Sequence, residues 1–256
     1  MTQTLTKEAC LKAAQEFLTR RKNNHRGDVL PADCRPTNLE DALAIQTATV
    51  EASGKAIDGW KCLVPLNPAQ IIVAPILEGT VQQGEECLVE CTEPGKTLIE
   101  PEIAFILGAD LPARETAYTE SEIDNAIASA HMALELLQRR YAASANDELI
   151  FADRQADCLL NQGIFVGPEI TKAQAYDAGE IKISIDQAKY DGKHPNLSAQ
   201  TPVYWLINFM RERGVSFKKG QTIITGSYAG AIEVPVKNTE ITYEGFGQYQ
   251  VTFKEA

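Results

Sequence analysis

Thr97-Leu98-Ile99-Glu100-Pro101-Glu102-Ile103-Ala104-Phe105-Ile106-Leu107 reads as an apolar strand that carries two carboxylates two residues apart. Successive strand side chains point to opposite faces, so Glu100 and Glu102 share one face while Ile99, Pro101 and Ile103 share the other. Neighbouring carboxylates repel, and burying them without a partner is costly. Two arrangements relieve that conflict. In a closed face, a divalent cation that prefers oxygen ligands sits between the two acids. On an edge strand, which Pro101 tolerates, the pair is simply solvated.

The rest of the chain must accommodate that strand. Its 256 residues suffice for one large domain or a small and a large one. A formal net charge of −11 argues against a nucleic-acid or anionic-membrane surface, although a local metal or arginine can still draw a small anion into a pocket. No basic-apolar-small leader pattern opens the sequence, and no apolar run reaches membrane-spanning length. The six cysteines (Cys10, Cys34, Cys62, Cys87, Cys91 and Cys158) form no CxxC pair, which leads us to expect reduced packing thiols in a cytoplasmic protein.

Helical spacing runs from Thr6 to about Lys22, and a capping-box pattern at Thr37-Asn38-Leu39-Glu40 opens a second helix that ends at Gly54. Residues 1–58 are therefore expected to form a helical N-terminal cap on a β-rich catalytic domain, 59–256, packed with it as one unit. Short apolar runs follow at 60–64, 71–77, 87–91 and 98–107, separated by Gly, Pro and acidic turns, a pattern of mainly antiparallel strands. Thr119-Glu120-Ser121-Glu122 is a further capping box, for a helix through Ala130. Met132 to Tyr141 fits either a continuation of that helix or a strand. Further strands are expected at 162–167, 181–185, 222–225, 241–243 and 248–253. A turn is expected at Asp191-Gly192, and a helix begins at Thr201-Pro202.

With Ile99-Glu100-Pro101-Glu102-Ile103-Ala104-Phe105 in view, the chain resembles the fumarylacetoacetate hydrolase superfamily. Within it, the 2-hydroxypentadienoate hydratase and 4-oxalocrotonate decarboxylase branch fits best. That branch pairs a Glu-x-Glu strand with a later Ala-Leu-Glu-x-x-x-x-Arg-Tyr segment, matched here by Ala133-Leu134-Glu135-Leu136-Leu137-Gln138-Arg139-Arg140-Tyr141. Gly59-Trp60-Lys61, His194-Pro195, Trp205-Leu206 and Gly220-Gln221-Thr222-Ile223-Ile224-Thr225-Gly226-Ser227 follow in family order. The resemblance implies an α+β fold, a mixed β-sheet rolled into a barrel-like core beneath the helical cap. It also implies a homo-oligomer, and a strand around Glu135.

The resemblance further implies that Glu100, Glu102 and Glu135 hold one Mg²⁺ or Mn²⁺, with Lys61 as the catalytic lysine. Arg140, Thr225, Gly226 and Ser227 would then be substrate-binding. Such a site suits a small anionic 2-oxo acid, whose carboxylate and C2 carbonyl chelate the metal, and the enolate formed there is stabilised. Lys61 would donate to the enolate oxygen, or shuttle a proton if its pKa is lowered. Hydration of 2-hydroxypenta-2,4-dienoate to 4-hydroxy-2-oxopentanoate is the expected activity. Decarboxylation of 4-oxalocrotonate-type 2-oxo-3-enedioates and non-catalytic 2-oxo acid binding are the alternatives. Two departures bear on that choice. The segment Pro68–Pro75 has no acidic residue where hydratases carry one, and Asp157-Cys158-Leu159-Leu160-Asn161 replaces the usual Ala-Asp-Asn-Ala-Ser piece.

Overall fold

The computed structural model describes residues 4–67 and 70–256, so Pro68 and Ala69 of the acid-free segment lie outside the described residues. Two helices come first. In α1 (Lys7–Lys22), the Thr6 side chain accepts from Ala9 N, and Arg20, Arg21 and Lys22 in the last turn complement the helix dipole. Helix α2 (Leu39–Ser53) is capped by Asn38, not Thr37: the Asn38 side chain accepts from Asp41 N, while the Asp41 carboxylate accepts from Thr37 N. Gly54, at φ +66°, ends it in the left-handed conformation that favours glycine. Phe17, Ala13, Ala42 and Ile45 form the apolar seam between the two helices, and Tyr141 packs into it. Gln46 reaches from α2 to donate to Val73 O and Gln155 O, which fixes the helices to the sheet.

The β region begins with β1 (Ile57–Leu63), β2 (Ile72–Leu77), β3 (Val81–Gln82), β4 (Glu86–Val89) and β5 (Lys96–Leu107). Helix α3 (Glu120–Ala126), β6 (Ile127–Leu137), α4 (Phe151–Ala156), β7 (Asn161–Ile170) and α5 (Lys172–Tyr176) follow. The chain closes with β8 (Glu180–Ile185), β9 (Ala188–Lys193), α6 (Thr201–Arg211), β10 (Thr222–Ile224), β11 (Ile232–Pro235), β12 (Asn238–Tyr243) and β13 (Gly247–Glu255). One sheet runs β2-β1-β10-β5-β6-β7-β3, with β11 also on β5, and curls into a half-barrel; a second runs β4-β13-β12-β8-β9. Most pairs are antiparallel, but β1–β10, β3–β7 and β4–β13 are parallel.

Strand β5 is central, not an edge. It pairs with β6 along nearly its whole length, and on its other side with β10 at Ala104–Ile106 and β11 at Lys96–Ile99. Ile99, Ile103, Phe105 and Leu107 point into the main core, which extends to Ile183 and Tyr243 of the second sheet and to Leu206 of α6. The opposite face of β5 carries Glu100, Glu102 and Ala104. Ala104, Ala133, Ile164, Val166 and Ile224 form a small separate apolar cluster beneath the acids.

Several sequence expectations shift. Helix α3 stops at Ala126 rather than Ala130, because Ile127 onward is paired with β5, and from Ala130 with β7 on the other side as well. The same pairing settles Met132–Leu137 as strand. Asp191-Gly192 is no turn but part of β9; a Cβ on Gly192 would lie 2.5 Å from Ile181 O, so glycine serves close packing there. The turn sits at Asp186, φ +50°, whose Oδ1 accepts from Glu240 N. Thr201 lies inside α6, with Gln200 at the cap position. All six cysteines are free, and no described helix is long and apolar enough to cross a membrane.

Candidate metal centre

Register alone assembles the acids. Glu100 lies directly opposite Glu135 on β6, and Glu102 opposite Ala133. Opposed residues share a face, and Ala133 is small enough to leave Glu102 open space. One carboxylate oxygen from each of Glu100, Glu102 and Glu135 lies within 4.8 Å of the others. The same row brings in Lys61, since β1 Lys61 is opposite Ile224, which is opposite Ala104. Its ammonium lies 2.7 Å from Glu135 Oε1 and donates to Leu159 O at 3.3 Å.

The carboxylates are held by fixed donors. Gly226 N–H donates to Glu102 Oε2 at 2.7 Å, and Asn161 Nδ2 donates to Glu135 Oε1 at 2.8 Å. Glu135 Oε2 is buried and, among the described residues, has no hydrogen-bond partner. A buried orphan acceptor facing two more acids suits a cation. Burial first, then the charges of Glu135 and Glu100, push the Glu102 carboxyl well up. Burial and Glu135 push Glu100 to about 7. Burial pulls the Lys61 ammonium down, but the three carboxylates outweigh it and the net direction is up. That direction suits the first of the two roles expected of Lys61, donation to an enolate oxygen, rather than the shuttle, which needs a lowered pKa.

The remaining expected residues separate. Gly226 and Ser227 line the same cavity, of about 550 Å³, as Lys61 and the three acids. Thr225 does not line it. Its hydroxyl is buried without a partner among the described residues, and its carbonyl lies 2.9 Å from His194 Nε2. Asn196 N–H donates to His194 Nδ1, so Nε2 carries the proton, and burial holds His194 neutral at about 4. His194 thus pins the loop that delivers Gly226. Gly226 has φ +123°, and a Cβ there would lie 2.8 Å from Leu63 Cδ1.

Arg140 also leaves the substrate side. It is 2% exposed, does not line the cavity, and is consumed by Asp157: Nε–Oδ1 is 2.5 Å, and its other nitrogens donate to Asp157 O, Asn161 O and Gln138 Oε1. Its reach to the site is indirect, through Asn161 to Glu135. Leu159, Leu160 and Asn161, in the segment that departs from the family piece, and Lys193 are site residues to which the motifs assign no role. Asn161 opens β7 two residues before Gly163, opposite Leu137, and only the pairing with β6 brings it to Glu135.

No family model and no curated protein matches the sequence. Solved structures do. The 4-oxalocrotonate decarboxylase of Pseudomonas putida G7, complexed with magnesium and adipate, superposes with a TM-score of 0.78 at 21% identity over 99% of this chain and 100% of that one. The same enzyme with calcium and acetate gives 0.76 over the same spans. A fumarylacetoacetate hydrolase family protein from Yersinia pestis CO92 gives 0.56 at 16% identity, over 78% of this chain and 94% of that one. The chain thus has the fold of the fumarylacetoacetate hydrolase superfamily, in the form taken by 4-oxalocrotonate decarboxylase.

Proposed function

We propose that this protein is a divalent-metal-dependent lyase of the fumarylacetoacetate hydrolase superfamily that acts on a small 2-oxo acid. The observation that carries this is the cluster of Glu100, Glu102 and Glu135, within 4.8 Å, facing a cavity that also holds the Lys61 ammonium. Three carboxylates form a hard-oxygen donor set suited to Mg²⁺ or Mn²⁺. The fold supports the same reading, since the decarboxylase that shares it was crystallised with magnesium and a dicarboxylate. A bound dication would supply an electrophile for the C2 carbonyl and an anchor for the adjoining carboxylate.

The chain's own groups do the rest. Lys61, kept charged by its neighbours, donates a hydrogen bond to the C2 oxygen as negative charge develops there. Gly226 N–H and Asn161 hold Glu102 and Glu135 in place, so the acids need not reorganise during reaction. Leu63, Leu137, Leu159 and Leu160 wall the cavity beside this charged end.

Among lyase reactions the cavity favours decarboxylation of a 2-oxo-3-enedioate over the hydration expected from sequence. Lys193 lines the same cavity at its mouth; its ammonium lies 3.2 Å from Glu180 Oε1, an exposed ion pair that a second substrate carboxylate can replace at little cost. Hydration needs a group to manage water at the distal carbon, and the acids lining the cavity, among the described residues, are the three of the cluster. In the decarboxylation, the C5–C6 bond breaks and its electron pair passes through the conjugated C3–C4 bond to the C2 oxygen. Carbon dioxide leaves, and a proton at that oxygen gives the 2-hydroxydienoic acid.

The test is incubation of the purified protein and Mg²⁺ with 2-oxohex-3-enedioate and, separately, with 2-hydroxypenta-2,4-dienoate. We expect release of one carbon dioxide per enedioate, loss of turnover with EDTA, and recovery with Mg²⁺ or Mn²⁺. Consumption of the dienoate alone would make the protein a hydratase. Consumption of neither, with oxalate still bound in the presence of Mg²⁺, would make it a non-catalytic 2-oxo acid binder.

A further inference from the structure

Cys158, Leu159 and Leu160 have φ of +54°, +53° and +67°. A left-handed backbone brings Cβ close to the following carbonyl, so residues other than glycine adopt it singly and asparagine more readily than most. Here three occur in a row, and two are leucine.

The turn is held at both ends. Asp157 before it is clamped by Arg140, and Asn161 after it accepts from Arg140 and Arg21 through its carbonyl. Within it, Leu159 O receives the Lys61 ammonium, while Gln138 N–H donates to Leu160 O. Strain that its surroundings fix in this way gathers at functional sites. The cost falls on having a Cβ, and glycine would avoid it. The leucine side chains must therefore serve a purpose that the backbone alone does not. Both are half-buried and line the cavity beside Leu63, Ile72 and Leu137.

We propose that Leu159 and Leu160 are the specificity-determining wall of this cavity. The left-handed turn presents two leucine side chains to the part of the substrate beyond C3. They select an unbranched apolar carbon segment between the chelating head group and the Lys193 mouth. This rests on the reading of the site as one for 2-oxo acids.

The experiment measures binding of oxalate, 2-oxobutanoate, 2-oxopentanoate and 2-oxohexanoate, with Mg²⁺ present, by titration calorimetry. Wild-type protein is compared with Leu159→Asn, Leu160→Asn and the Leu159→Gly/Leu160→Gly double variant. Asparagine and glycine both accept the left-handed backbone, so the turn is retained. In the wild type, each added methylene should raise affinity about fourfold, the yield of burying one CH₂. In the variants that gain should fall below about twofold per methylene, with oxalate affinity held within about threefold. An undiminished chain-length gain in all variants overturns the proposal. So does a parallel fall in oxalate affinity, which would assign the turn to the head-group site. If oxalate fails to bind wild type with Mg²⁺, the 2-oxo acid reading itself falls, and this proposal with it.

Discussion

Replacing Arg140 with methionine separates a buried structural clamp from a substrate contact. Arg140 is 2% exposed and Asp157 3%, with Nε–Oδ1 at 2.5 Å. The substitution keeps the apolar stem but leaves the Asp157 carboxylate, the Asp157 and Asn161 carbonyls and Gln138 Oε1 without this donor. Breaking a buried pair from one side costs about 3–5 kcal/mol. For a chain of this length that corresponds to a fall of about 10 °C in unfolding temperature. Burial already pushes the Asp157 carboxyl up, against the opposing pull of Arg140, so without Arg140 it rises further. An acid whose folded pKa is raised contributes stability below its unfolded pKa and loses it as pH rises through the folded one. The deficit of the variant should therefore be largest near pH 8 and shrink toward pH 5. Urea unfolding of both proteins across that range, with Mg²⁺ affinity measured alongside, is the assay. A stability loss under about 1 kcal/mol with abolished oxalate binding would refute the reasoning and return Arg140 to the substrate.

Two further outcomes follow from the site. Gly226→Ala places a methyl 2.8 Å from Leu63 Cδ1 at φ +123°, and should cost about 2 kcal/mol in urea unfolding while weakening Mg²⁺ at least tenfold through loss of the Gly226–Glu102 bond; an equally stable variant with unchanged affinity contradicts it. Glu100 is pushed up to about 7, so the metal-free protein should lose stability as pH rises from about 4.5 through 7, and Mg²⁺ should restore more of it as pH rises. Thermal unfolding with and without Mg²⁺ at pH 5 and pH 8 checks this, and equal stabilisation at both would count against it.

The sequence made legible what rests on period and local chemistry. Alternation in 97–107 placed Glu100 and Glu102 on one face, and the capping box at Thr119 formed as read, with the Glu122 side chain returning to Thr119 N. What it left hidden depends on partners distant in the chain. Asp191-Gly192 has the form of a turn, yet its glycine answers the approach of Ile181 O. Ile127–Ala130 continues a helical period, yet pairing with β5, joined by β7 from Ala130, makes it strand. Arg140 matches a motif arginine, yet its direction is set by Asp157, a buried acid seventeen residues on. Asn161 carries no motif signal for its role, because its partner Glu135 lies across a strand pair.

Pro101 would be tolerated on an edge strand, and its true position within the sheet explains why the site can exist. Within a strand, the N and O of one residue point to the same side. Pro101 O accepts from Tyr228 N, so its ring nitrogen also faces the side away from β6. There β10 ends opposite Ala104, and β11 begins only at Ile99. The proline sits where the ladder is interrupted, and its missing N–H leaves no bond unmade. Through that gap the loop between β10 and β11 reaches the acids, bringing Gly226 N–H to Glu102 and Ser227 to the cavity. A continuous strand in this position would have closed the sheet over Glu100 and Glu102. The interruption instead leaves three carboxylates and one ammonium around an opening, a formal charge of −2 once all three acids ionise, which fixed neutral donors orient but do not neutralise. A dication balances that charge, and Glu135 Oε2, buried without a partner among the described residues, is the atom that most requires it.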